Sequence, residues 1–174
     1  GHVTDPWVTP QVFNNWDRYF KTGYSATNNI NVSQAMAEGN FALGLSQTSQ
    51  TGVALTSGMK RYNAKASAER KFGKNFSTGF NANYSKTDID KLPTANDAAL
   101  AGVLGAPVSY NLRDYPYFVP GDPYTDIYYR GGNWDNPYWA AEHTIFNEKT
   151  DRFFGNGYLN FNANLGNNMS FKAR

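Results

Sequence analysis

From residue 26 onward the chain alternates apolar and polar positions with a period of two, the pattern of extended strands that show unlike environments to their two faces. Six segments carry it. Ile30 and Val32 oppose Asn29, Asn31 and Ser33, and Phe41, Leu43 and Leu45 oppose Asn40, Gly44 and Ser46. Tyr62, Ala64, Ala66 and Ala68 oppose Arg61, Asn63, Lys65, Ser67 and Glu69, and Phe76, Phe80, Ala82 and Tyr84 oppose Ser77, Gly79, Asn81 and Asn83. Leu159, Phe161, Ala163 and Leu165 oppose Tyr158, Asn160, Asn162 and Asn164, and Met169, Phe171 and Ala173 open a sixth segment that stops at Arg174. Ahead of them, Val12, Phe13, Trp16, Tyr19 and Phe20 fall at helical spacing, with Thr9 placed to cap, Pro10 in the first turn and Gly23 to end a short helix.

The connections alternate as well. Ala37-Glu38-Gly39, Gly73-Lys74 and Gly166-Asn167 read as tight turns, whereas residues 48–59 and 88–149 read as long loops. Short turns at one end and long loops at the other are the layout of an outer-membrane β-barrel. The expectation is an all-β, antiparallel transmembrane β-barrel segment of about six strands with one short helix and a long extracellular loop. Residues 1–25 would end an extracellular loop and hold the helix, 26–87 would form four strands, 88–149 the long loop, and 150–174 two further strands, the last truncated.

Composition sharpens this picture. Aromatic residues make up 16% and charged residues only 17% of the chain, so Asn, Ser, Thr and Gly fill the polar faces. A soluble domain's solvent face carries more Lys and Glu. Phe41, Tyr62, Phe72, Phe76, Tyr84, Phe153 and Phe154 tend toward the segment ends, where interfacial aromatic belts lie. The formal charge of +2 gives no reason to expect nucleic acid as a partner. Cysteine is absent, which excludes disulfide scaffolds and thiolate chemistry. No run of about twenty apolar residues is present, so a membrane would be crossed by strands, not helices. The opening residues lack the charged and apolar regions of a signal peptide, as expected of a mature chain or a piece of a longer one. Six strands enclose no lumen, because outer-membrane barrels have at least about eight, so a barrel would need strands beyond these.

Several stretches carry a family resemblance. The run Asn28-Asn29-Ile30-Asn31-Val32-Ser33, a Gly turn, Phe41-Ala42-Leu43-Gly44-Leu45-Ser46-Gln47, Gln50-Thr51-Gly52 and Lys60-Arg61-Tyr62-Asn63 resembles the SusC/RagA family of TonB-dependent outer-membrane transporters of Bacteroidetes. Asn15-Trp16-Asp17 with Lys21-Thr22-Gly23, and Asn136-Pro137-Tyr138-Trp139 followed by Asp151-Arg152 and Gly155-Asn156, resemble it too. The resemblance implies a 22-stranded, plugged barrel in the outer membrane of a Gram-negative cell, importing glycan or peptide. It implies a SusD-like surface lipoprotein as lid and TonB as the source of energy, engaged through N-terminal parts that this sequence lacks, with no cofactor and no enzymatic step.

The long loop holds the candidate contacts. Tyr124, Asp126, Tyr128, Tyr129, Arg130, Trp134, Tyr138 and Trp139 combine aromatic faces with carboxylates and a guanidinium, a set suited to sugar rings, peptides or the lid protein. The same aromatics would also serve as the loop's own small core. Asp122, Asp126 and Asp135 lack the spacing of a calcium loop. A soluble β-sandwich that binds carbohydrate is the alternative reading. An outer-membrane barrel hydrolase is a third, for which His143 has no visible catalytic partner.

Overall fold

The computed structural model describes residues 9–92, 99–128, 134–144, 146–164 and 170–173. In chain order the elements are α1 (Asn15–Tyr19), β1 (Tyr24–Met36), β2 (Gly39–Thr51), β3 (Gly58–Phe72), β4 (Phe76–Lys91), α2 (Ala99–Gly105), β5 (Phe118–Val119), β6 (Asp122–Asp126), α3 (Pro137–His143), β7 (Phe146–Asn164) and β8 (Ser170–Ala173). They form two compact units. One comprises residues 25–50, 59–89 and 148–174, and the other residues 1–24, 51–58 and 90–147.

The first unit is a single mostly antiparallel sheet in the order β1-β2-β3-β4-β7-β8, open at β1 and β8. Contacts between neighbouring strands show its registers. The Thr27 and Thr48 hydroxyls meet at 3.1 Å, Asn63 Nδ2 donates to Ser46 Oγ at 3.1 Å, and the Phe72 and Phe76 rings lie 5.6 Å apart. The Thr78 hydroxyl donates to the Tyr158 carbonyl at 3.1 Å, and Phe161 faces Ala173 across β7 and β8.

These registers align the apolar positions into rows across the sheet. Ile30, Leu45, Ala64, Tyr84 and Phe153 share one row; Phe41, Ala68 and Phe80 share another; Phe72, Phe76 and Phe161 form the row beside the tight turns. Ile30, Leu45, Phe80, Phe153, Leu159 and Phe161 are all exposed. Beyond the Ile30 row the same flank turns polar, with Asn28, Gln47, Lys86 and Asp151 beside Tyr62. The opposite flank is mostly polar, with Ile89, Phe154 and Tyr158 as its large apolar or aromatic residues on β4 and β7, and Gly79 is the one buried residue among the described residues of the strands. The sheet therefore has no dry core between two layers.

Gly79 lies beneath the Tyr158 ring, where a Cβ would come within 2.6 Å of it. A ring laid over a strand glycine restores the packing that glycine gives up.

The second unit has the hydrophobic core: Tyr19, Ala99, Val103, Leu112, Tyr138 and Ala140, with Phe20, Leu55, Tyr110 and Tyr117 packed against it. The helix near the N-terminus is shorter than the sequence predicts. Asn14, not Thr9, caps α1 by accepting from the Asp17 amide, and Phe20, not Gly23, ends it. Once Tyr19 is fixed in the core, Val12 is left 82% exposed, so the predicted apolar stripe is only partly buried. The loops are also tighter than expected, since β2 extends to Thr51 and β3 begins at Gly58, while β4 reaches Lys91 and β7 begins at Phe146. Phe153 and Phe154 consequently sit well inside β7 on opposite flanks, not at a strand end. The expected turn at Gly166-Asn167, with Leu165 and Met169, lies outside the described residues.

Candidate functional site

Three buried asparagines organise the second unit. The Asn15 side chain donates to the Tyr110 carbonyl at 2.8 Å and accepts from the Leu112 amide at 3.3 Å. Asn136 is fully buried; its Oδ1 caps α3 through the Tyr138 amide at 3.0 Å and its Nδ2 donates to the Leu112 carbonyl at 3.2 Å. Asn111 Oδ1 accepts from the Asp114 amide at 3.1 Å, while its Nδ2 donates to Asp114 Oδ2 at 2.8 Å. Buried backbone groups need such partners, and Leu112 has one at each of its polar atoms. Helices α2 and α3 approach closely at Gly102, where a Cβ would stand 2.8 Å from Pro137 Cγ.

The candidate contacts divide on this frame. Tyr138 is core: its ring meets Tyr19 edge-on at 5.5 Å, so it is not a surface contact. Burial pushes the Tyr19 hydroxyl up to about 12, with the neighbouring Tyr138 adding to the effect, and raises Tyr138 itself. Trp139 is half-buried, donates Nε1–H to the Pro123 carbonyl at 3.0 Å and stacks on His143 at 4.7 Å. Tyr124 is 80% exposed and meets the His143 ring edge-on at 5.8 Å. Tyr124, Trp139 and His143 thus form one aromatic cluster across β6 and α3, to which the sequence reading contributed two of the three. Tyr128 is exposed and Trp134 half-buried. Tyr129 and Arg130 lie outside the described residues.

Asp126 is half-buried. Its Oδ2 accepts from the Asn136 amide at 3.2 Å, while its buried Oδ1 has no hydrogen-bond partner among the described residues. Burial raises its pKa above the ordinary carboxylate value. It is a support for α3 more than an exposed contact. Asp122 folds back on its own hairpin, accepting from the Tyr124 amide at 3.1 Å and the Thr125 hydroxyl at 2.5 Å, and these bonds lower its pKa. Among the described residues no group of three metal-ligating side chains converges.

Compared with known proteins, the chain matches no family profile and no curated relative.

The sheet carries the other candidate surface. Arg61, Lys65 and Arg152 lie on its polar flank with Ser85, Thr87 and Phe154 around one cavity of about 520 Å³. Sequence reading placed Arg61 and Lys65 on this flank and missed Arg152 and Phe154. The period-two pattern of Tyr158 and Asn160, continued backwards through Asn156, reaches both.

Proposed function

We propose that this chain forms part of the wall and outer mouth of an outer-membrane transport barrel of the SusC/RagA, TonB-dependent type. The observation that carries the reading is the unlike pair of flanks on one open sheet: an exposed, mostly apolar flank, interrupted toward the tight turns by Gln34, Arg70 and Thr78 and ending at a polar row at its other limit, and a hydrated flank opposite. In water, an apolar face of this extent would be covered. In a bilayer it is the lipid-facing surface.

The height of the apolar flank supports this. On β3, Tyr62 in the first polar row and Phe72 in the row beside the tight turns lie ten residues apart, with Ala64, Ala66, Ala68 and Arg70 between them on this flank. At about 3.3 Å per residue and a strand tilt near 40°, that corresponds to a band of about 25 Å, the height of the apolar zone of an outer-membrane barrel. The aromatic rows at its two limits match interfacial girdles. Because lipid leaves an open sheet edge unsatisfied, β1 and β8 would pair with further strands of the same wall. The polar flank would line the lumen, and the helical unit would form part of the external surface that receives glycan or peptide and the SusD-like lid. TonB would drive import, and no bond of the substrate would change. Phe and Leu at exposed positions argue against a soluble sandwich, whose apolar flanks would meet in a dry interior.

The test uses the absence of cysteine in the chain. Single Leu43→Cys and Ala42→Cys variants, made in the complete barrel that contains this chain and reconstituted in lipid bilayers, place a thiol on opposite flanks of β2. A water-soluble maleimide is expected to label Ala42→Cys and spare Leu43→Cys, while brominated lipid quenches a fluorophore at position 43 only. Equal aqueous labelling of both, in a protein monodisperse without detergent, overturns the proposal.

A further inference from the structure

The polar flank is not uniformly neutral. Arg61, Arg152 and Lys65 occupy three successive rows at its loop end and line a single cavity whose one carboxylate is Glu148. Arg61 Nε donates to the Thr87 hydroxyl at 3.4 Å, a long bond, and neither Lys65 nor Arg152 has a hydrogen-bond or ion-pair partner among the described residues. Three cations on one stretch of hydrated wall, with a single carboxylate in the same lining, make a surface that favours an anion. Guanidinium groups favour carboxylates, which they hold through two parallel hydrogen bonds.

The rest of the lining narrows the chemistry. Ser85, Thr87 and Asn63 offer hydroxyl and amide groups that pair with hydroxyl-rich ligands. Phe154 is out of place by polarity: it stands 58% exposed on the hydrated flank, in the row of Lys65 with Asn83 of β4 between them, and one position along that flank from Arg152. An exposed ring among polar groups suits the apolar face of a sugar. Cations for carboxylates, hydroxyls for hydroxyls and a ring for a pyranose face describe one ligand class.

We infer that this cavity binds an acidic oligosaccharide of the uronic-acid type. The inference rests on the transport reading, which makes this flank the lumen wall near its outer mouth, and it names the substrate class.

The experiment measures binding of tetragalacturonate to the complete barrel that contains this chain, in lipid nanodiscs, with maltotetraose as the neutral saccharide and hexaglutamate as the acidic peptide. Tetragalacturonate is expected to bind in preference to both, with an affinity that falls as salt rises. Arg61→Gln with Arg152→Gln should weaken it by about tenfold or more, and Arg61→Lys with Arg152→Lys should recover part of that loss. Phe154→Ala should weaken tetragalacturonate and leave hexaglutamate unchanged. Circular dichroism confirms the strand content of each variant. Hexaglutamate binding as tightly as tetragalacturonate assigns the cavity to an acidic protein segment and overturns the saccharide. Absent binding, or binding unchanged in the Gln variant, overturns it as well. The labelling pattern of positions 42 and 43, read on the same preparation, separates the two readings. A correct pattern without uronate binding defeats this inference alone, and equal labelling defeats both.

Discussion

Tyr84 donates its phenolic hydrogen to Asp151 Oδ1 across β4 and β7 at 2.5 Å. Tyr84 belongs to the last apolar row of the sheet and Asp151 to the first polar row beyond it. The bond therefore straddles the line at which one flank changes character. Tyrosine suits that line, because its ring favours the apolar side and its hydroxyl the wet side.

If this line is the edge of the lipid, the cost of a charge must depend on which side of it the charge stands. Ala26 and Ala68 are both small residues on this flank, one beyond the line and one in the middle of the apolar rows. Ala68→Arg is expected to reduce the free energy of folding into a bilayer by about 2–4 kcal/mol, and Ala26→Arg by no more than about 1 kcal/mol. Urea-dependent folding of the complete barrel into vesicles measures both. Equal costs would sink the boundary placement.

The sheet was largely legible in the sequence because a strand's period of two survives without knowledge of its neighbours. Phe41, Leu43 and Leu45 announce their flank by themselves. The helical unit was not legible, because its framework depends on contacts about ninety residues apart, such as Asn15 with Tyr110. No local period encodes such a contact. Tyr138 illustrates the consequence: an aromatic in a polar loop reads equally well as a ligand contact or as core, and only the Tyr19 ring against it decides. The start of α3 did carry a local signal, Asn136 before Pro137, which the reading of 88–149 as a loop left unused.

Asn136 should be the most sensitive polar residue of that unit. Asn136→Ala leaves the Leu112 carbonyl without its donor and the Tyr138 amide without its cap. Each buried unsatisfied group costs about 1–3 kcal/mol. Amide hydrogen exchange at residues 112 and 138 should accelerate by at least about tenfold, while exchange in β2 and β3 stays unchanged. Uniform protection across both segments would show that the asparagine is not their anchor.

Asp126 predicts a pH dependence whose sign follows from its environment. Burial raises its folded-state pKa above 3.8. The folded unit then binds this proton more tightly than the unfolded chain does. Stability from this group is complete below pH 3.8 and is lost as pH rises through the folded value. Asp114 runs the other way: the hydrogen bond from Asn111 lowers its pKa, so its contribution is present above 3.8 and is lost as pH falls through the folded value. Relative to Asp126→Asn, the wild-type chain should therefore gain stability on acidification, and relative to Asp114→Asn it should lose it. Thermal melts of the three proteins between pH 3 and pH 7 give both differences directly.

Gly79 and Tyr158 offer a test confined to one cross-strand pair. A methyl group on Gly79 would lie 2.6 Å from both Cζ and Oη of Tyr158. Those atoms are the far end of the side chain, so Gly79→Ala is accommodated by swinging the ring off the strand, at an expected cost of about 1–3 kcal/mol. Tyr158→Ala alone uncovers the glycine and loses the packing of the ring. In the double variant the obstacle is gone, and the Gly79→Ala change then supplies the strand preference that glycine lacks. The two changes should therefore couple, with the double variant more stable than the sum of the singles by about 0.5–3 kcal/mol. Denaturant unfolding of the four proteins closes the cycle. A coupling of zero would mean that the ring rests elsewhere, and the glycine would then have to be explained by backbone approach alone.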